Sequence, residues 1–355
     1  MHEHAIPRDQ AVAAPAVAGP IAEIAIATPG VVPAEVLHQA RPLVLRGLVR
    51  HWPLVSAARR SPDAAIAYLH AFERPGAPPV TATVGPPEIE GRFFYDEAFT
   101  GFNFRREEVP LGVVLATLRK YLGHARPPAI YVASTTIDTW LPGFRAANDL
   151  PPPGHDPLAS IWIGNRSRIA AHQDLPENIA CVGAGRRRVT LFPPQQLRNL
   201  YVGPLDFTPA GQPVSLVDFA APDLERFPRF SQALRHALTA ELEPGDAVFI
   251  PSMWWHHIEG LEDFNVLVNY WWRRTAGWMD APVDALMLAI SSLRELPPEQ
   301  RALWRDAFDH YVFGYDPDAV AGHVPAPARG VLGPLDAARA QRLRAKLLQR
   351  LSQRG

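Results

Sequence analysis

Leu242-Glu243-Pro244-Gly245-Asp246-Ala247-Val248-Phe249-Ile250-Pro251-Ser252-Met253-Trp254-Trp255-His256-His257-Ile258 is the run on which the fold reading turns. Pro-Gly-Asp is a tight-turn signal. It feeds Ala247–Ile250, four apolar residues closed by a proline, which read as a buried strand. Outward from there the pattern recurs. Ile130-Tyr131-Val132 and residues 160–163, 188–192 and 265–272 are short apolar runs broken by Gly and Pro. Such runs read as an all-β barrel or sandwich rather than βαβ units. In the last run Val266, Val268 and Tyr270 share one face, and Leu267, Asn269 and Trp271 the other.

The rest of the composition narrows the class. With 355 residues, 47% of them hydrophobic and 20% charged, the chain is long and apolar enough for a well-buried core and is not disordered. A net charge of −1 supplies no overall drive toward nucleic acid or anionic membrane, and neither partner is expected. A single cysteine, Cys181, excludes a disulfide framework and a cysteine-rich zinc site, and fits a cytoplasmic location. No run approaches a membrane span, and Glu3 and Asp9 break up the head of a signal peptide. The 38 prolines predict many turns and few long helices over most of the chain.

Residues 1–20 read as a loose arm. Residues 61–72 open with a serine cap and a proline, a normal helix start, and 111–121 form a second helix candidate. After Arg274 the period changes: Val283, Leu286, Met287, Ile290 and Leu293 form an amphipathic helix stopped by Pro297-Pro298, and a helix over 299–312 should follow. At 336–355, Leu343, Leu347, Leu348 and Leu351 line one side, with six Lys/Arg on the rest. That stripe packs on its own domain or pairs with a second copy, two readings of equal weight, and the basic side reads as a solvated face.

The chemistry centres on His172-Gln173-Asp174. On a strand, residues i and i+2 share a face, so an imidazole and a carboxylate would converge. A third metal ligand is available within 251–258. Two histidines and one carboxylate on one face of a metal leave positions open for a cosubstrate and O₂, the arrangement of non-haem iron(II) oxygenases. Each motif alone reads more simply, as a surface histidine near an unrelated aspartate or a buried structural histidine. Their joint presence in a β-rich region, the second behind a Pro-Gly-Asp turn, is what favours the metal site. Adjacent strand residues face opposite ways, so only one of His256 and His257 points inward.

Trp162-Ile163-Gly164, His172-x-Asp174, Asn178, Gly185, Arg187, Leu191-Phe192-Pro193-Pro194 and Leu200-Tyr201 together resemble the cupin-type JmjC hydroxylase family. So do Val217-Asp218-Phe219, Pro244-Gly245-Asp246, Trp254-Trp255-His256-His257-Ile258 and Val268-Asn269-Tyr270-Trp271. The likeness is dense over 129–272 and extends weakly through Arg41-Pro42-Leu43-Val44-Leu45-Arg46-Gly47. It is closest to the branch that hydroxylates asparagine in hypoxia-inducible factor and to that branch's bacterial members. The resemblance implies a mainly β fold with flanking helices, a double-stranded β-helix (jelly-roll, cupin) core over 21–274, and a C-terminal helical segment over 275–355 that forms a homodimer.

It further implies Fe(II) held by His172, Asp174 and His256, with His257 a non-ligand. For the cosubstrate 2-oxoglutarate it implies Arg187 and Tyr131 at the far carboxylate, Asn178 and Asn269 as lining amides, and Ile258 and Trp271 as apolar wall. Two positions depart from the family pattern. Arg187 stands where lysine is usual, and Ile169 where Thr or Ser is common. The activity implied is hydroxylation of a protein or peptide side chain, using O₂ and converting 2-oxoglutarate to succinate and CO₂. A small-molecule substrate, a redox-neutral cupin with another metal, and a degenerate binding module are the competing readings; Ile169 and Arg187 keep the last of these open.

Overall fold

In a computed structural model the chain is described over residues 19–353, with 151 and 153 excepted. The strands in chain order are β1 (Gly19–Pro20), β2 (Glu23–Ala25), β3 (Leu43–Arg46), β4 (Val80–Gly85), β5 (Arg105–Val109), β6 (Ala129–Thr136) and β7 (Leu158–Gly164). They continue as β8 (Ser167–His172), β9 (Glu177–Ala184), β10 (Arg187–Phe192), β11 (Leu238–Leu242), β12 (Ala247–Ile250), β13 (Trp255–Gly260) and β14 (Asn265–Trp272). Residues 1–18 of the arm expected over 1–20 lie outside the described residues. Its last two positions depart from expectation: Gly19 and Pro20 pair in parallel with Leu238 and Thr239.

The strands form a nine-stranded sheet, β2-β3-β12-β9-β14-β7-β6-β4-β5, and a five-stranded sheet, β1-β11-β10-β13-β8. From β7 the chain crosses back and forth between them, with β7, β9, β12 and β14 in the large sheet and β8, β10 and β13 in the small one. This is the double-stranded β-helix of a cupin jelly roll. Ala180, Val182, Val189, Leu191, Val248 and Leu267 fill the space between the sheets. On the outer face of the large sheet, Ile179, Cys181, Val266, Val268 and Tyr270 pack with Leu54, Ile66, Leu69, Val114 and Leu118. Those partners belong to the helices Pro53–Arg60, Pro62–His70 and Leu111–Lys120. The Ser61 hydroxyl caps the second of these, accepting from Ala64 N at 3.0 Å.

Strand β14 shows how residue alternation builds both layers. Its Val266, Val268 and Tyr270 enter the helix-facing core, while Leu267, Asn269 and Trp271 face the interior between the sheets. All eight residues of β9 are buried, because it is covered on both faces. The Pro-Gly-Asp turn anchors β12. Gly245 has φ +106°, a region that disfavours side chains. The Asp246 carboxylate accepts from Arg46 (2.7 Å), Gly47 N (2.8 Å) and Glu243 N (3.1 Å), tying the turn to β3.

The described chain divides into two compact units, with the boundary between Trp272 and Arg273. The second unit contains the helices Pro282–Leu293, Pro298–Phe308 and Ala337–Ser352, with a π-helical turn over Asp309–Phe313. It exposes Leu286, Trp304, Phe313, Leu347, Leu348 and Leu351. Among the described residues no helix is long and apolar enough to cross a membrane.

Candidate metal centre

β8 and β13 are neighbours, and their register sets His172 directly opposite His256, with ring centroids 4.2 Å apart. The register shifts between His256 and Ile258, a β-irregularity at the site. Asp174 arrives by a route that differs from the i, i+2 strand expectation. His172 is the last residue of β8, and Asp174 lies in the turn beyond it. That turn is stitched to the turn before β13. Met253 N donates to Asp174 O (2.9 Å), Gln173 Nε2 to Met253 O (2.6 Å) and the Ser252 hydroxyl to Leu175 O (2.6 Å). Met253 itself sits at φ +65°, uncommon for a non-glycine residue.

The result brings one donor atom each from His172, Asp174 and His256 within 4.8 Å of one another. The Asp174 carboxylate lies 3.5 Å from His256 Nε2. Both imidazoles are oriented by their own strands: Nδ1 of His172 meets Ala170 O at 2.9 Å, and Nδ1 of His256 meets Trp254 O at 3.0 Å. Carbonyls only accept, so each Nδ1 carries the proton and each Nε2 keeps its lone pair for a ligand role.

Burial, with the neighbouring His256, lowers the His172 pKa to about 4, which keeps that ring neutral. Burial opposes ionisation of Asp174, but the hydrogen bond and charge of His256 and the charge of His172 outweigh it and hold its pKa at about 2. Burial likewise opposes a cationic His256, and the Asp174 hydrogen bond and charge reverse that, raising its pKa. A carboxylate and two Nε2 lone pairs form a donor set suited to a divalent first-row metal.

The three groups open onto a cavity of about 650 Å³. Tyr131, Asn178, Arg187, Ile258, Asn269 and Trp271 all line it, as does Ile169. Arg187 is 1% exposed, and its Nε has no hydrogen-bond partner among the described residues. Burial lowers its pKa to about 10, so it stays cationic at neutral pH. Burial raises the pKa of Tyr131 well above its usual value, against the pull of Arg187, and the phenol stays protonated. Asn269 Nδ2 donates to Asn178 Oδ1 at 2.8 Å, while Asn269 Oδ1 and the Trp162 and Trp271 indole N–H groups lack partners among the described residues. Unpaired buried polar groups around an unpaired buried cation fit a polar, anionic occupant such as 2-oxoglutarate.

His257 faces away from the cavity, tilted against Phe219 at 4.7 Å, and its Nε2 lies 3.9 Å from Glu259. The cations beside Arg187 are outside the cavity and paired, Arg186 with Glu262 (2.6 Å) and Arg188 with Glu241 (2.7 Å). The sequence reading overlooked the far wall: Thr83, Arg106, Thr135, Trp140 and residues 209–212. Nothing local marks them, because they come from β4, β5, β6 and two connecting segments, and only packing assembles them.

The sequence model of the family described as a cupin-like domain matches residues 29–277. The chain is 34% identical over 119 residues to the lysine-specific demethylase JMJ31 of Arabidopsis thaliana, covering 33% of this chain and 21% of that protein. It is 32% identical over 149 residues to the tRNA wybutosine-synthesizing protein 5 of Mus musculus, covering 38% of this chain and 44% of that one. The match therefore spans less than half of either curated relative. The solved structure of the ribosomal oxygenase YcfD of Escherichia coli aligns over 90% of this chain and 66% of its own, at 17% identity and a TM-score of 0.38.

Proposed function

Because the chain belongs to the cupin-like domain family, we propose that it is an Fe(II)- and 2-oxoglutarate-dependent oxygenase that hydroxylates a protein or peptide side chain. The observation that carries this reading is the convergence of His172, Asp174 and His256 on a cavity whose wall also presents a buried cation without a counter-ion among the described residues. His172, Asp174 and His256 would hold the metal while leaving coordination positions free for cosubstrate and O₂. When bound, the iron with 2-oxoglutarate and O₂ would supply the oxidation, one oxygen atom of O₂ entering the succinate left after loss of CO₂ and the other entering a substrate C–H bond as hydroxyl.

The chain's own residues bind, orient and exclude water. Ala170 O and Trp254 O fix the ring orientation of the two histidines. Arg187 is the carboxylate clamp, where its planar fork replaces the single ammonium of a lysine. The Tyr131 phenol, protonated through its raised pKa, is the accompanying donor. Asn178 and Asn269 orient the occupant from the same wall as Trp271, while Ile169 and Ile258 contribute apolar surface that keeps water out. A non-catalytic module has no use for a buried guanidinium without a partner, which weighs against the degenerate reading. The relatives' names point to two polymer substrates, protein for the demethylase and tRNA for the wybutosine protein. Protein is favoured here by the lack of net basic charge.

The test is anaerobic titration of Fe(II) with 2-oxoglutarate, followed by its weak visible charge-transfer band, then succinate release in air. A band with succinate supports the reading, and the absence of both excludes it. Asp174→Ala should abolish both signals.

A further inference from the structure

Beyond the metal centre, the cavity wall carries charge of one sign. Asp174 is its only carboxylate among the described residues, and it already lies between two imidazoles. The permanent cations are Arg187 and Arg106, and the wall around Arg106 otherwise presents neutral groups such as Thr81, Thr83, Thr135 and Gln212. Arg106 lies on β5 across from Thr83 of β4. Its guanidinium donates to Pro209 O and sits 5.6 Å and 5.5 Å from the ring centroids of Phe102 and Phe104. No carboxylate pairs with it among the described residues, whereas its neighbour Arg105 pairs with Glu107. With Arg187 committed to the cosubstrate carboxylate, a lysine or arginine side chain reaching the wall around Arg106 would lose hydration and be repelled by that guanidinium.

We propose that the cavity selects a peptide segment that places an acidic group on Arg106 and an uncharged side chain at the metal centre. The inference deepens the oxygenase reading and rests on it only for the reacting position. β5 is the last strand of its sheet, so an extended peptide can align along an edge that offers backbone donors and acceptors. A nucleic acid would meet a single unpaired cation on a strand reading Arg105-Arg106-Glu107-Glu108, not the basic stripe that phosphate backbones require.

The experiment is equilibrium fluorescence anisotropy on the full chain at low ionic strength. The probes are three labelled peptides of equal length with a common uncharged centre, flanked by Glu, by Ser or by Lys, and an oligouridine of the same length. The Glu-flanked peptide should bind tightest and the Lys-flanked one weakest, a spread on the order of tenfold. Arg106→Glu should reverse that order and Arg106→Lys should keep it. If Arg106 only pinned the segment at Pro209, its replacement would weaken all three peptides alike without reversing them. Equal binding, no binding, a preference for Lys, or an order unchanged in Arg106→Glu would overturn the proposal. So would tighter binding of oligouridine that is lost in Arg106→Glu, which would assign the site to nucleic acid. Peptide binding needs no turnover, so failure of Fe(II) and 2-oxoglutarate to bind would overturn the oxygenase reading while leaving this order intact.

Discussion

Arg187 is held in the interior at an energetic cost. Its guanidinium is fully buried, its Nε is unpartnered, and burial depresses its pKa. A buried charge without a counter-ion destabilises the free protein. Arg187→Met should therefore raise stability by about 1–4 kcal/mol in chemical denaturation. The same change should weaken 2-oxoglutarate by roughly a hundredfold or more in isothermal titration, since it removes one partner of a buried ion pair. Lower stability with unaltered 2-oxoglutarate affinity would instead make Arg187 a structural cation. The adjacent histidines provide a second contrast. His257→Phe should cost less than about 1.5 kcal/mol, as a near-isosteric change beside Phe219, and leave Fe(II) affinity intact. His256→Phe should abolish metal binding, and loss of metal in the His257 variant would reverse the assignment.

The turns are the elements that hold the site in register. Asp246 satisfies Gly47 N, Glu243 N and Arg46 with one carboxylate while only 8% exposed. Asp246→Ala should cost about 2–4 kcal/mol, seen as a lower urea midpoint, because buried donors lose a charged acceptor. A shift within the scatter of a surface substitution would show that the turn anchors nothing. This turn was legible in the sequence because Pro-Gly-Asp is a local conformational signal. So was β14, whose alternation separated Leu267, Asn269 and Trp271 from Val266, Val268 and Tyr270. The turn carrying Asp174 was not legible. A two-residue strand period brought Asp174 to the correct side for an incorrect reason, since its position depends on Met253 and Ser252, which lie far along the chain and reach it only through the fold. The far cavity wall was likewise invisible, because Thr83 and Arg106 have no motif around them.

At the scale of the whole molecule, the second unit exposes Leu347, Leu348 and Leu351 on its last helix and Trp304 and Phe313 before it. Several large apolar side chains left open on one helical region are the mark of an association surface. We propose on this basis that the C-terminal segment forms the homodimer expected from the sequence. Leu347→Glu with Leu348→Glu should convert a dimeric mass in light scattering to a monomeric one while Fe(II) binding is retained. A monomeric mass for the unaltered chain would end that expectation. The sequence by itself determined the β-rich fold and the candidate ligand types with their spacing, because strand period, turn chemistry and side-chain identity reside in each short segment. Only the tertiary structure decided that Asp174 joins the two histidines from a turn, that Arg187 has no counter-ion among the described residues, and that Arg106 stands on the far wall of the same cavity. Each of these depends on side chains from distant segments meeting within a few ångströms, and no local pattern records which segments will meet.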